Sequence, residues 1–200
     1  MRRREDGWDG AAAGPAKLVD RLRGSVIAIF AAIVRIPTMV RPLCVAPHDV
    51  LRTPAQPVRL FTKEIRLLVH DLIETMYANN GIGLAAPQVG CSIQAFVVNP
   101  SAQRGREVVV INPRLDASRG RAAIVEGCLS LPNIWERVKR AARVRVSGQD
   151  ARGKPLTVEA DGLLAIVLQH EFDHLQGRLL IDRLSWFRRR HLRRGTDGCG

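Results

Sequence analysis

Residues 161–177 constrain this chain more than any other segment, because a strongly apolar run, Leu163, Leu164, Ile166, Val167 and Leu168, leads directly into His170-Glu171-Phe172-Asp173-His174. The pattern predicts a long, buried helix over 161–176, with Asp161 at its cap and Gly177 as its stop. At i,i+4 spacing both imidazoles stand on one face, about one turn apart, where they can grip one metal ion while Glu171 points toward water on that ion. That arrangement suits a metallohydrolase. The bland alternative is two helical histidines hydrogen bonded to their neighbours. A catalytic site also needs a third protein ligand and one open position.

The rest of the chain supplies one core around that helix. Two hundred residues fit one domain with tails, and with 4% aromatic residues the packing must come from Val, Leu, Ile and Ala. A further helix is predicted over 63–80 from Ile65, Leu68, Leu72, Ile73 and Met76, stopped by Asn79, Asn80 and Gly81. Strands are predicted over 93–98, 107–111, 122–125, 138–147 and 156–159, with a last strand or turn over 179–184. Without a βαβ rhythm the order reads as α+β: a single domain with antiparallel or mixed strands packed around a central helix bearing the H-E-x-x-H. Residues 39–184 are the expected catalytic domain.

Both ends differ from that body. Residues 1–38 read as an N-terminal extension, flexible or partly helical, with Met39 as an alternative start. The apolar run at 26–34 is about half of what crosses a bilayer, and Glu5, Asp6 and Asp9 spoil the basic region of a secretory signal. No stable membrane insertion is expected. Of the net charge of +12, +3 lies in residues 1–38 and +5 in residues 177–200. The basic C-terminal tail, 185–200, carries Trp186, Phe187 and Leu192 among arginines. It reads as a solvated face, a ribosome contact or a membrane-surface element. Cys44, Cys91, Cys128 and Cys199 form no CxxC pair, which fits a reducing compartment best, with two disulfides as the alternative.

The third ligand must come from outside the helix. Cys128, in Glu126-Gly127-Cys128-Leu129-Ser130 just after a predicted strand, is the attractive candidate; the alternative is a small buried hydrophobe. Gly81-Ile82-Gly83-Leu84-Ala85-Ala86-Pro87-Gln88 follows a helix rather than a strand, so a dinucleotide fingerprint is unconvincing. Its glycines let backbone approach a ligand or the metal. Gln88 offers an amide donor toward an oxyanion, or else ties one loop to another.

G-I-G-L-A-A-P-Q, E-G-C-L-S and Q-H-E-F-D-H, in that order, resemble the three signature motifs of the peptide deformylase family, over about residues 39–184. The resemblance implies Cys128, His170 and His174 as metal ligands, Glu171 as general base, and the Gln88 amide and Leu129 N–H as oxyanion donors. It places Gly83 main chain against the substrate, and Ile82, Val167, Ile134 and Trp135 around the pocket for a methionine side chain. The implied reaction is attack of metal-bound water on the formyl carbon of N-formylmethionyl nascent peptides, releasing formate. The implied cofactor is one divalent ion, Fe2+ first and Zn2+, Ni2+ or Co2+ as substitutes. Glu126 is expected to hold its loop, through an arginine, and Asp173 to orient a ligand or cap backbone. A monomer in the bacterial cytoplasm, or in an organelle, with ribosome contact through the basic tail, completes the expectation. The rivals are an H-E-x-x-H metallopeptidase cleaving internal peptide bonds, and a non-catalytic ribosome- or RNA-binding protein with a structural metal site.

Overall fold

The computed structural model describes residues 39–190. The extension expected over 1–38, Leu192 and the arginines of the distal tail, and Cys199, lie outside the described residues.

Two helices clasp a five-stranded sheet. α1 (Lys63–Ala78) and α2 (Gly162–Leu175) are joined by β1 (Gly83–Ala85), β2 (Ala95–Val98), β3 (Val108–Arg119), β4 (Ala122–Cys128), β5 (Leu131–Arg140), β6 (Arg143–Gln149) and β7 (Pro155–Asp161). The large sheet has the order β1-β2-β3-β6-β7, and β4 and β5 form a separate hairpin. All these pairings are antiparallel. β2 explains the layering. Its Phe96 and Val98 pack with Ala165, Val167 and Leu168 of α2, while Ala95 and Val97 pack with Leu68, Leu72 and Met76 of α1. A strand covered on both faces reads as continuous apolar sequence, as AFVV does. Among the described residues no helix is long and apolar enough to cross a membrane.

Both helices end in the same way. After α1, Asn80 adopts φ +53°, and Gly81 N–H donates to Met76 O (2.8 Å) while Asn80 N–H donates to Tyr77 O (3.1 Å). After α2, Gly177 adopts φ +66°, and Arg178 N–H donates to Asp173 O (3.0 Å). These are paired left-handed caps that satisfy the last carbonyls. The first cap turns the chain into the Gly81–Gln88 segment. Asp161 occupies the N-cap position of α2 but its side chain makes no capping bond; the residue closes β7 instead.

The strands differ from expectation in several places: β1 and the first part of β5 are unexpected, and β4 runs on to Cys128. The stretch expected as one strand over 138–147 is two, because the chain leaves the hairpin after Arg140 and enters the large sheet at Arg143. β3 continues past Ile111 through a register shift at Asn112 and Pro113. Asn112, at φ +51°, bonds Val58 through both its amide oxygen and nitrogen (2.8 Å each), so a turn-like pair is absorbed into the sheet. Residues 180–183 form a 3₁₀ turn, and residues 186–190 are helical, with Trp186 and Phe187 exposed and stacked edge to face.

Candidate metal centre

Three elements converge below one cleft: α2, the end of β4 and the 3₁₀ turn Ala86–Val89. Cys128, His170 and His174 bring one donor atom each to within 4.8 Å of one another. Cys128 Sγ stands 3.3 Å from His174 Nε2. An ion about 2.3 Å from a thiolate and about 2.1 Å from an imidazole would hold such atoms about 3.6 Å apart in a tetrahedral site. The spacing therefore fits a divalent ion.

The surrounding charges also fit one. His170 Nδ1 is 2.8 Å from Glu126 Oε2, leaving Nε2 as the donor toward Cys128. Arg140 grips Glu126 through Nε (2.8 Å) and Nη2 (2.9 Å), and reaches Asp173 Oδ2 through Nη1 (2.5 Å). Arg183 donates to Asp173 from the other side. Glu126 thus bonds His170 directly and Arg140 ties it to Asp173, while neither carboxylate is among the three donor residues. Burial opposes ionisation of Glu126, but hydrogen bonds from Arg140 and His170 outweigh it and hold the carboxyl down to about 2. Burial, with the nearby positive charges of His170 and Arg140, keeps His174 neutral, the form in which imidazole ligates. Burial works against a charged His170 as well, yet its bonds to Cys128 and Glu126 push it up to about 10. A field that stabilises positive charge there is one that a metal cation can occupy in the proton's place.

Glu171 lies beside the donors without joining them. It is fully buried, its Oε2 has no hydrogen-bond partner, and burial pushes the carboxyl up to about 7. An orphaned carboxylate oxygen next to three metal donors is positioned to take a proton from a reacting water.

The cleft above has a volume of about 590 Å3 and is lined by Gln88, Cys128, Leu129, His170 and Glu171. Ile82, Gly83, Val167, Ile134 and Trp135 line it too, so all the positions expected around the substrate share one cavity. His174 lies deeper and does not line it. Gln88 is oriented by its environment: Oε1 accepts from Ala85 N–H (2.8 Å), which turns Nε2 toward Ser130 Oγ (3.3 Å) and Cys128 Sγ (3.8 Å). Trp135 is 70% exposed on the rim, its ring lying over Gly127 on the paired strand.

Gly83 owes its identity to Glu171 and Val167. A Cβ there would stand 2.3 Å from Glu171 Oε1 and 2.7 Å from Val167 Cγ1. Gly83→Ala is therefore expected to displace Glu171 and lower kcat by about 10²-fold, with metal content retained, as steady-state kinetics on metal-matched protein would register.

Sequence reasoning missed Leu163 and Ile166 as cleft residues and left the arginine behind Glu126 unnamed. Leu163, Ile166, Val167 and His170 follow i, i+3, i+4, i+7 spacing, which would have put all four on one face. Nothing local marks Arg140 as buried.

The polypeptide deformylase family model matches residues 40–190. Among solved structures, a peptide deformylase from Legionella pneumophila is 39% identical, with a TM-score of 0.76 over 80% of this chain and 94% of that one. A peptide deformylase from Thermotoga maritima is 40% identical, with a TM-score of 0.70 over 74% of this chain and 99% of that one. The class I type b peptide deformylase from Acinetobacter baumannii, solved with bound Met-Ala-Ser, is 32% identical, with a TM-score of 0.69 over 74% of this chain and all of its own.

Proposed function

The chain belongs to the peptide deformylase family, and we infer from that membership and the site's geometry that Cys128, His170 and His174 hold its metal and Glu171 is its general base. The protein is a metal-dependent hydrolase that removes N-formyl groups. The observation that carries the residue assignment is the buried, unpartnered Glu171 Oε2 beside the three donor atoms at the floor of the cleft.

When bound, a divalent ion there supplies Lewis acidity, lowering the pKa of water and polarising a carbonyl oxygen. Glu171 takes the proton of the attacking water and returns it to the departing amine. The Gln88 amide and the Leu129 N–H donate to the oxygen on which charge develops at the formyl carbon, favouring the tetrahedral state over the planar one. Gly83 lets main chain approach the peptide. Ile82, Val167, Ile134 and Trp135 border an apolar slot suited to an unbranched thioether, which supports formylmethionyl nascent peptides as substrate. Glu126 fixes the tautomer and direction of His170.

Fe2+ is the proposed native ion, with Zn2+, Ni2+ and Co2+ able to enter a site of one thiolate and two imidazoles. The protein acts as a monomer whose cleft one chain completes. It works in a bacterial cytoplasm, or in an organelle that uses formylated initiation, with Arg188, Arg189 and Arg190 leading a basic segment toward ribosomal RNA.

Gln88→Leu tests the oxyanion role. It is expected to lower kcat by about 10²–10³-fold with KM changed far less. It also costs about 1–3 kcal/mol of stability, because the buried Ala85 N–H loses its acceptor. A kcat within a few-fold of the parent at equal metal content would remove Gln88 from the mechanism.

A further inference from the structure

Two thiols outside the catalytic centre share one attachment point. Cys44 N–H donates to Gln88 O (2.8 Å) and Cys91 N–H donates to Ala86 O (3.0 Å), so both backbones are pinned to the same 3₁₀ turn, Ala86–Val89. Gly90, which follows that turn at φ +81° and precedes Cys91, lies beside the other thiol: a Cβ on Gly90 would stand 3.8 Å from Cys44 Sγ. Both cysteines are free and partly exposed. Arg41 places Nη1 3.7 Å from Cys91 Sγ and is held there by Asp71, to which its Nε donates at 2.8 Å. Burial and the charge of Cys91 push the Cys44 thiol up.

We propose that Cys44 and Cys91 form a reversible dithiol–disulfide couple, a thiol-oxidation site separate from the metal ligand Cys128. The oxidant class is a low-molecular-weight disulfide such as oxidised glutathione. Cys91, whose Sγ faces Arg41, gives up its proton and attacks one sulfur of that disulfide; the S–S bond breaks and one small thiolate leaves. Cys44, its proton given up to solvent, then attacks Cys91 Sγ and expels the second small thiolate. Two protein thiols are oxidised to one disulfide, one small disulfide is reduced to two thiols, and both protons end on the released thiols. The bond would fasten the segment bearing Leu43, a wall of the cleft, to the turn bearing Gln88.

The full-length, metal-loaded protein is incubated anaerobically with oxidised glutathione, alkylated, digested without reduction and mapped by mass spectrometry. The expected product joins the Cys44 and Cys91 peptides, is undone by dithiothreitol, and raises Tm by about 5 °C. Cys44→Ser should stop at a mixed disulfide on Cys91 at the parental rate, whereas Cys91→Ser should react about tenfold slower. Glutathione held singly on the unsubstituted protein, a cross-link through Cys128 or Cys199, or no reaction would overturn the couple; equal rates in the two variants would overturn the order of attack. Because the readout is a covalent bond, its failure leaves the deformylase reading untouched, and the reverse holds.

Discussion

Glu171→Gln is expected to lower kcat for formate release by about 10²–10⁴-fold while metal content and Tm stay at the parental level. The amide matches the carboxylate in volume, so α2 keeps its packing against β2. It cannot accept a proton from water, however, and that step is the one the other cleft residues do not provide. Gln88 is turned by Ala85 to present a donor, and Glu126 is already committed to Arg140 and His170. Removing a desolvated carboxyl that burial has pushed up to about 7 takes no favourable ion pair away from the fold. Loss of metal in this variant would recast Glu171 as part of the binding site rather than the base.

Arg140→Met produces the largest expected loss of stability. The guanidinium is 5% exposed and is the common partner of Glu126 and Asp173, both also buried. Replacing it leaves two carboxylates without their shared cation, a change that costs about 3–5 kcal/mol and lowers Tm by roughly 10 °C. Because Glu126 steers His170, metal affinity should fall by about 10–100-fold as well. Arg140→Lys should rescue little, since an ammonium cannot reproduce the two-pronged grip on Glu126 while reaching Asp173. Calorimetry combined with metal titration checks both effects; a variant with parental Tm and metal affinity would show the network to be dispensable.

The candidate site was legible because its residues lie in short segments. H-E-x-x-H fixes its own geometry once the helix is recognised, and the apolar run from Leu163 to Leu168 makes that helix hard to miss. Cys128 and Gln88 sit in motifs whose glycines signal close approach, and the structure puts both at one cavity with His170 and Glu171. What was illegible is non-local. Arg140 looks like any basic residue in Val138-Lys139-Arg140: the β4–β5 register sets it opposite Ala122, and only its long side chain, reaching along the hairpin, meets Glu126. The hairpin also ends at Arg140, dividing a run that alternation alone reads as one strand. The strand expected to end at 111 runs on through a bulge at Asn112-Pro113, where Val58 lies opposite and bonds the Asn112 amide.

The most direct test of the central claim is formate release from formyl-Met-Ala-Ser by anaerobically purified ferrous protein, run beside Glu171→Gln at matched metal content. Robust turnover that the variant loses is the predicted result. No formate from fully loaded protein, or equal turnover by the two, would contradict the account.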